Sequence, residues 1–223
     1  MRWLPLTMAI LASAVPALAE LPPPASRVTA REIHHPGEPA LRIGVPATAT
    51  YVGGERFELY GVADCEVHVF VEAGPDRQVR RLYWIQFESY LPTAPDARYD
   101  YGEGGNRRIE LWGRTTWVRA AFGPTSRTAR PGSDTERVQT IIARAGYTPP
   151  EQMMNVRLVR LLDDPQGTGY GRRELMLIYA EDLALSGLTP EALTDDGRPN
   201  ARWAALEEAL IARSASAFQV EER

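Results

Sequence analysis

From Ala47 to Phe122, β-branched and aromatic residues alternate with polar ones between turn signals, the period-two pattern of antiparallel strands. Gly53-Gly54 separates Thr48–Val52 from Arg56–Tyr60 at the spacing of a two-residue hairpin, where glycine supplies the positive φ of a primed turn. Gly61 and Ala63-Asp64 lead into a strand over Cys65–Glu72, and the loop at Ala73-Gly74-Pro75-Asp76 returns the chain into Val79–Leu91. That long run has aromatics on both faces, which predicts a central strand. Between Arg108 and Phe122, Gly113 marks either the turn of a hairpin or a bulge in one bent strand.

The period then changes. Ser133 and Glu136 form a capping box, and Val138, Ile141, Ile142 and Ala145 recur at helical spacing until Gly146. Met154–Leu162 and Glu174–Glu181 predict a second hairpin around a glycine-rich loop. Thr189-Pro190-Glu191 opens a short helix, and Asn200 caps a longer one whose stripe is Trp203, Leu206, Leu210, Ser214, Ala217 and Phe218. The simplest assembly is α+β: a largely antiparallel sheet with helices packed on one side, covering the face that needs burial.

Two N-terminal segments stand apart. Residues 1–19 join Arg2, an apolar stretch from Leu4 to Val15 and Ala17-Leu18-Ala19, the pattern of a signal peptide cleaved before Glu20. Pro5 and Pro16 interrupt the run, which falls short of the ~20 apolar residues of a membrane span. No later segment is long enough either, so the expectation is an exported soluble protein, periplasmic or secreted, with no transmembrane segment in the mature chain. Residues 20–46 hold six prolines and show no sustained period. They read as an extended arm, free or laid along the body as an edge strand around Leu41 to Val45. Residues 47–223 then make a single α+β domain.

Composition removes several chemistries. All 25 basic residues are Arg, so an amine nucleophile, a phosphate-loop lysine and a serine–lysine hydrolase are ruled out. The net charge of −4 becomes −5 when Arg2 leaves with the signal peptide. With no basic stripe, nucleic acid is not an expected partner. The expected partner is a protein or a small molecule of unknown identity. Cys65 is the only cysteine, so no internal disulfide forms, and alternation places it beside Val67, Val69 and Val71 as a small buried hydrophobe.

His34-His35 lacks the further ligands of a closed metal site and reads as a solvated pair. Cys65 and His68, three apart on a strand, point to opposite faces. Ser186 precedes Gly187 without the matching glycine of a nucleophile elbow. The acidic doublets Asp163-Asp164, Glu181-Asp182 and Asp195-Asp196 sit where turns are expected, and the loop from Asp163 to Gly171 lacks the ligand alternation of a calcium hand. No metal or cofactor is therefore expected.

The row that draws attention is Trp84, Gln86, Glu88 and Tyr90, which alternation puts on one face of the long strand. Two aromatics, an amide and a carboxylate make the composition of a binding surface or pocket wall. The bland alternatives are a sheet face turned to water, or Glu88 paired with Arg114 or Arg119. The expectation is thus a non-enzymatic exported binding module using that row. Its rival is a hydrolase of envelope polymers or small esters, assembled from distant residues around Glu88 or His68.

Overall fold

The computed structural model describes residues 23–223. The predicted signal peptide at 1–19 lies outside the described residues. Chain order gives β1 (Arg27–Val28), β2 (Glu32–His35), β3 (Leu41–Gly44), β4 (Thr50–Leu59), β5 (Ala63–Ala73), β6 (Val79–Tyr90), β7 (Tyr99–Asp100), β8 (Arg107–Leu111) and β9 (Arg114–Pro124). After helix α1 (Asp134–Arg144) come β10 (Gln152–Leu161), β11 (Tyr170–Gly171), β12 (Arg173–Asp182), β13 (Thr194–Asp195) and β14 (Arg198–Pro199). Helix α2 (Ala201–Ala217) and β15 (Gln219–Glu222) close the chain.

The main sheet has seven antiparallel strands in the order β4-β5-β6-β12-β10-β9-β8, and a second sheet of four runs β1-β2-β3-β15. Among the described residues 46% lie in strands and 17% in helices, so the fold is largely β, not the expected α+β assembly with helices on one side of a sheet. The physical reason is that both faces of the main sheet are apolar. On one, Cys65, Val67, Val69 and Val71 of β5 and Leu82 and Trp84 of β6 pack with Val138, Ile141 and Ile142 of α1. On the other, Tyr83, Ile85, Leu175 and Leu177 pack with Trp203, Leu210 and Ile211 of α2 and with Ile33, Leu41 and Ile43 of the small sheet. The two helices therefore cover opposite faces, and much of the second face is covered by strands.

The proline-rich segment is likewise no free arm within its described part. Ile33, Leu41 and Ile43 are at most 1% exposed, and β3 lies between β2 and β15, an interior position in its sheet. Burying three branched side chains is worth about 1.5–3 kcal/mol each, enough to outweigh the irregularity that the prolines impose.

Gly53-Gly54 is not a turn. β4 runs through both glycines with a register shift between Tyr51 and Gly53, and the chain reverses at Tyr60-Gly61, both at positive φ (52° and 70°). Close approach explains the pair: a Cβ on Gly54 would lie 2.7 Å from the Val67 carbonyl oxygen and 2.6 Å from the Tyr51 hydroxyl. Gly113 does turn a hairpin, with Trp112 and Gly113 at φ 49° and 71° between the paired Leu111 and Arg114. The predicted second hairpin forms between β10 and β12, and α1 carries its expected cap, Ser133 Oγ accepting from the Glu136 amide at 3.2 Å.

Candidate functional site

Strand β6 places Leu82, Trp84, Gln86, Glu88 and Tyr90 on the face that α1 partly covers. Their cross-strand neighbours on β5 are Val69 for Trp84, Val67 for Gln86, Cys65 for Glu88 and Ala63 for Tyr90. Those on β12 are Ile178 for Trp84, Met176 for Gln86 and Glu174 for Glu88. The row is neither wet nor flat: Gln86 is fully buried, while Trp84 and Glu88 are 6% and 9% exposed.

Burial forces these polar groups to satisfy one another. The Trp84 indole N–H donates to Gln86 Oε1 at 2.9 Å, Gln86 Nε2 donates to Glu88 Oε2 at 2.8 Å, and the Tyr99 hydroxyl donates to Glu88 Oε1 at 2.6 Å. Glu174 accepts from the Tyr101 hydroxyl at 2.7 Å. Both tyrosines come from the segment around β7, which is held down by pairing with β11 and by the Tyr101 amide donating to the Gly169 carbonyl. Tyr90 is half-buried, its ring 4.5 Å from that of Tyr99. Neither arginine of the bland alternative, Arg114 or Arg119, pairs with Glu88: Arg114 instead forms a two-pronged pair with Glu222 at 3.0 and 2.8 Å.

Placing two carboxyl groups side by side in this setting disfavours ionising both. Burial, and after it the negative charge of Glu88, push the Glu174 carboxyl up to about 8, against the Tyr101 hydrogen bond and the charge of Arg157. Burial and the same Glu88 push the Cys65 thiol far above its ordinary value, so Cys65 is a packed, unreactive group.

Beyond Trp84 the same face opens. Helix α1 packs mainly over β4 and β5, and the segment around Tyr99 and Tyr101 covers the Glu174 and Met176 end of this face; the gap between them over β12, β10 and β9 is a groove of about 570 Å³. Its floor is Leu82, Trp84, Ile178 and Ala180 with Met153 and Asn155, one wall is Val138 and Ile142, and the other is the segment from Thr125 to Arg130. Ala121 and Gly123 keep the β9 side low: a Cβ on Gly123 would meet nothing within 4 Å. Of the sequence-predicted row, Trp84 alone lines this groove, and the hydrogen-bonded chain from Gln86 through Glu88 to Tyr99 fixes its indole from behind.

The histidines are placed elsewhere. His34 contacts Glu32 at 3.0 Å. His35 is not solvated as expected: its ring stacks on Phe87 at 3.7 Å, its Nδ1 lies 3.0 Å from Ser26 Oγ, and burial lowers its pKa against the opposing charge of Glu66. His68 is fully buried on the face opposite Cys65, between Glu66 Oε1 at 2.9 Å and the Tyr51 hydroxyl at 3.2 Å. Burial raises the Glu66 carboxyl, but hydrogen bonds from His68, Ser26 and Ala25 outweigh it and hold the group at about 2. His68 therefore shares no site with Glu88. A small cavity of about 180 Å³ is bordered by His35, Glu66, Glu88 and Glu174. Among the described residues, no group of three or more His, Cys, Asp or Glu side chains is arranged to hold a metal ion.

Sequence reasoning missed Glu174, Tyr99, Tyr101 and the groove walls. The alternation Tyr99-x-Tyr101 was a usable signal, since it puts both rings on one side of an extended segment. The pairing of Glu88 with Glu174 had no local signal, because it depends on the register between strands far apart in sequence. Among the described residues no helix is long and apolar enough to cross a membrane. Comparison with protein-family models, with curated proteins and with solved structures gave no match to this chain.

Proposed function

We propose that this chain is an exported, non-enzymatic binding protein that holds a small, largely apolar molecule against Trp84. The observation that carries the reading is the groove of about 570 Å³ lying on the Trp84 indole. Its size falls among ordinary small-molecule sites, and its apolar floor with a few polar edges suits such a ligand. In this reading Trp84 is the contact residue, Gln86 and Glu88 are positioning residues, and Tyr90 braces the Tyr99 end of the chain. Export rests on the signal-peptide pattern of residues 1–19.

The test is titration with a neutral apolar fluorophore, N-phenyl-1-naphthylamine, of the wild type and of Ala121→Trp. Ala121 is exposed at the groove's edge, so an indole there fills the space without disturbing the core. Saturable one-site binding that weakens at least ~10-fold in the variant, at an unchanged unfolding midpoint, supports the reading. No saturable binding, or equal binding by both proteins, overturns it.

One observation favours the hydrolase as a second reading: Glu88 has an acidic neighbour, and both border the small cavity. It ranks second because Glu174 is only 3% exposed, the pair lies under Tyr99 and Tyr101, and about 180 Å³ is below the usual size of a ligand site. Hydrolysis of p-nitrophenyl esters by the wild type but not by Glu88→Gln would promote it.

A further inference from the structure

We infer that the groove takes a single-chain amphiphile with an anionic head, of the long-chain carboxylate class, with its tail on Trp84 and its head at Arg127 and Arg130. This rests on the binding reading above and deepens it. The lining contains these two arginines and no aspartate or glutamate, in a chain whose net charge is −4. A local excess of positive charge on an acidic protein needs a reason.

Nine of the 22 other arginines among the described residues meet carboxylates: Arg42, Arg56, Arg80, Arg81, Arg107, Arg114, Arg137, Arg160 and Arg213. Arg77, Arg172 and Arg173 donate to backbone carbonyls. Among the described residues, Arg127 and Arg130 meet no carboxylate within 4.0 Å. Arg130 is nevertheless held in place, its guanidinium 4.4 Å from the Tyr60 ring centre. The nearest acids in sequence are turned to local duties: Glu136 accepts from the Gly132 amide at 2.7 Å, and Asp134 from the Thr135 amide at 2.6 Å.

The two halves of the groove thus match the two halves of an amphiphile. The floor is apolar apart from Asn155, and α1 contributes Val138 and Ile142 beside the polar Thr135 and Gln139, so an alkyl chain laid on the apolar part leaves water at about 0.8 kcal/mol per methylene buried. The rim offers two guanidinium forks, whose planar geometry fits a carboxylate with paired hydrogen bonds. A cationic head would face uncompensated positive charge, and a neutral head would leave both forks without an anion.

The test is displacement of bound N-phenyl-1-naphthylamine from the wild-type protein by dodecanoate, dodecyl phosphate, dodecanol and dodecyltrimethylammonium, each below its micellar concentration. Dodecanoate is expected to compete about tenfold better than dodecanol and better still than the cation, with the advantage shrinking as salt rises. The double variant Arg127→Gln/Arg130→Gln, changed only at exposed positions, is expected to erase the preference for dodecanoate over dodecanol. Dodecyl phosphate clearly outcompeting dodecanoate would overturn the carboxylate assignment. Equal competition by dodecanol, or a preference surviving the double variant, would overturn the role of the arginines while the neutral fluorophore still binds. Failure of the fluorophore itself would instead remove the binding reading on which this inference stands.

Discussion

Glu174 makes stability depend on pH in a direction opposite to that of most carboxylates. In the folded chain burial and the neighbouring Glu88 raise this carboxyl from 4.5 to about 8. Between those values the folded state keeps a proton that the unfolded chain has released. Stability from this group is therefore complete below pH 4.5, declines as pH rises, and is gone above pH 8. At 1.36 kcal/mol per pH unit across that interval, the loss is on the order of 5 kcal/mol. The perturbation is Glu174→Gln, whose amide oxygen still accepts the Tyr101 hydroxyl and whose N–H₂ is uncharged beside Glu88. The assay is urea unfolding followed by tryptophan fluorescence from pH 4.5 to 9. The variant should match the wild type near pH 4.5 and exceed it by several kcal/mol at pH 8–9. Glu88→Gln removes the second cause of the rise, so the wild-type decline should move to higher stability at alkaline pH in that variant also. Glu66 does not interfere, because its carboxyl is held at about 2 and its contribution is lost only as pH falls from 4.5 towards that value. Parallel profiles for wild type and Glu174→Gln, or a variant less stable at pH 8, would refute the reasoning.

Three further outcomes are expected. Cys65→Ala should lower stability by about 1 kcal/mol and leave fluorophore binding unchanged, and the native thiol should stay unreactive towards a disulfide reagent until the protein unfolds. Gly54→Ala should destabilise by about 1–3 kcal/mol in the same urea assay, because its Cβ would meet the Val67 carbonyl oxygen, a backbone atom that cannot swing aside. Edman sequencing of the exported protein should begin at Glu20; material beginning at Met1 would remove export from the account.

Local signals were readable where one short segment decides the outcome. The capping box from Ser133 to Glu136 and the alternation along Val79–Tyr90 each depend on a few neighbouring residues, and the last told correctly which side chains share a face, whereas Gly113 was open between a turn and a bulge until the pairing of Leu111 with Arg114 decided it. Errors arose where a distant partner decides. Gly53-Gly54 has turn composition, yet His68, Tyr51 and Ile141 press on it and require glycine inside a strand. A strand around Leu41 to Val45 was legible as one alternative for the proline-rich segment, but as an edge strand; its interior position and the burial of Leu41 and Ile43 depend on β15 from the far end of the chain. The helix stripes showed that α1 and α2 each bury a face, but not that they lie on opposite sides of one sheet. For the site, Trp84 was legible as an aromatic on a mixed face. Its groove was not, because an unfilled space is set by what α1 leaves uncovered and by small residues at Ala121 and Gly123.

Photo-crosslinking puts the central claim to its most direct test. A dodecanoate analogue bearing a diazirine near the tail end is bound, irradiated and located by peptide mass spectrometry. The account predicts adducts on Trp84, Met153, Ile178 and Ile142, all abolished in Ala121→Trp and competed by unlabelled dodecanoate. Adducts confined to the opposite face near Trp203, or groove adducts undiminished in Ala121→Trp, would contradict it.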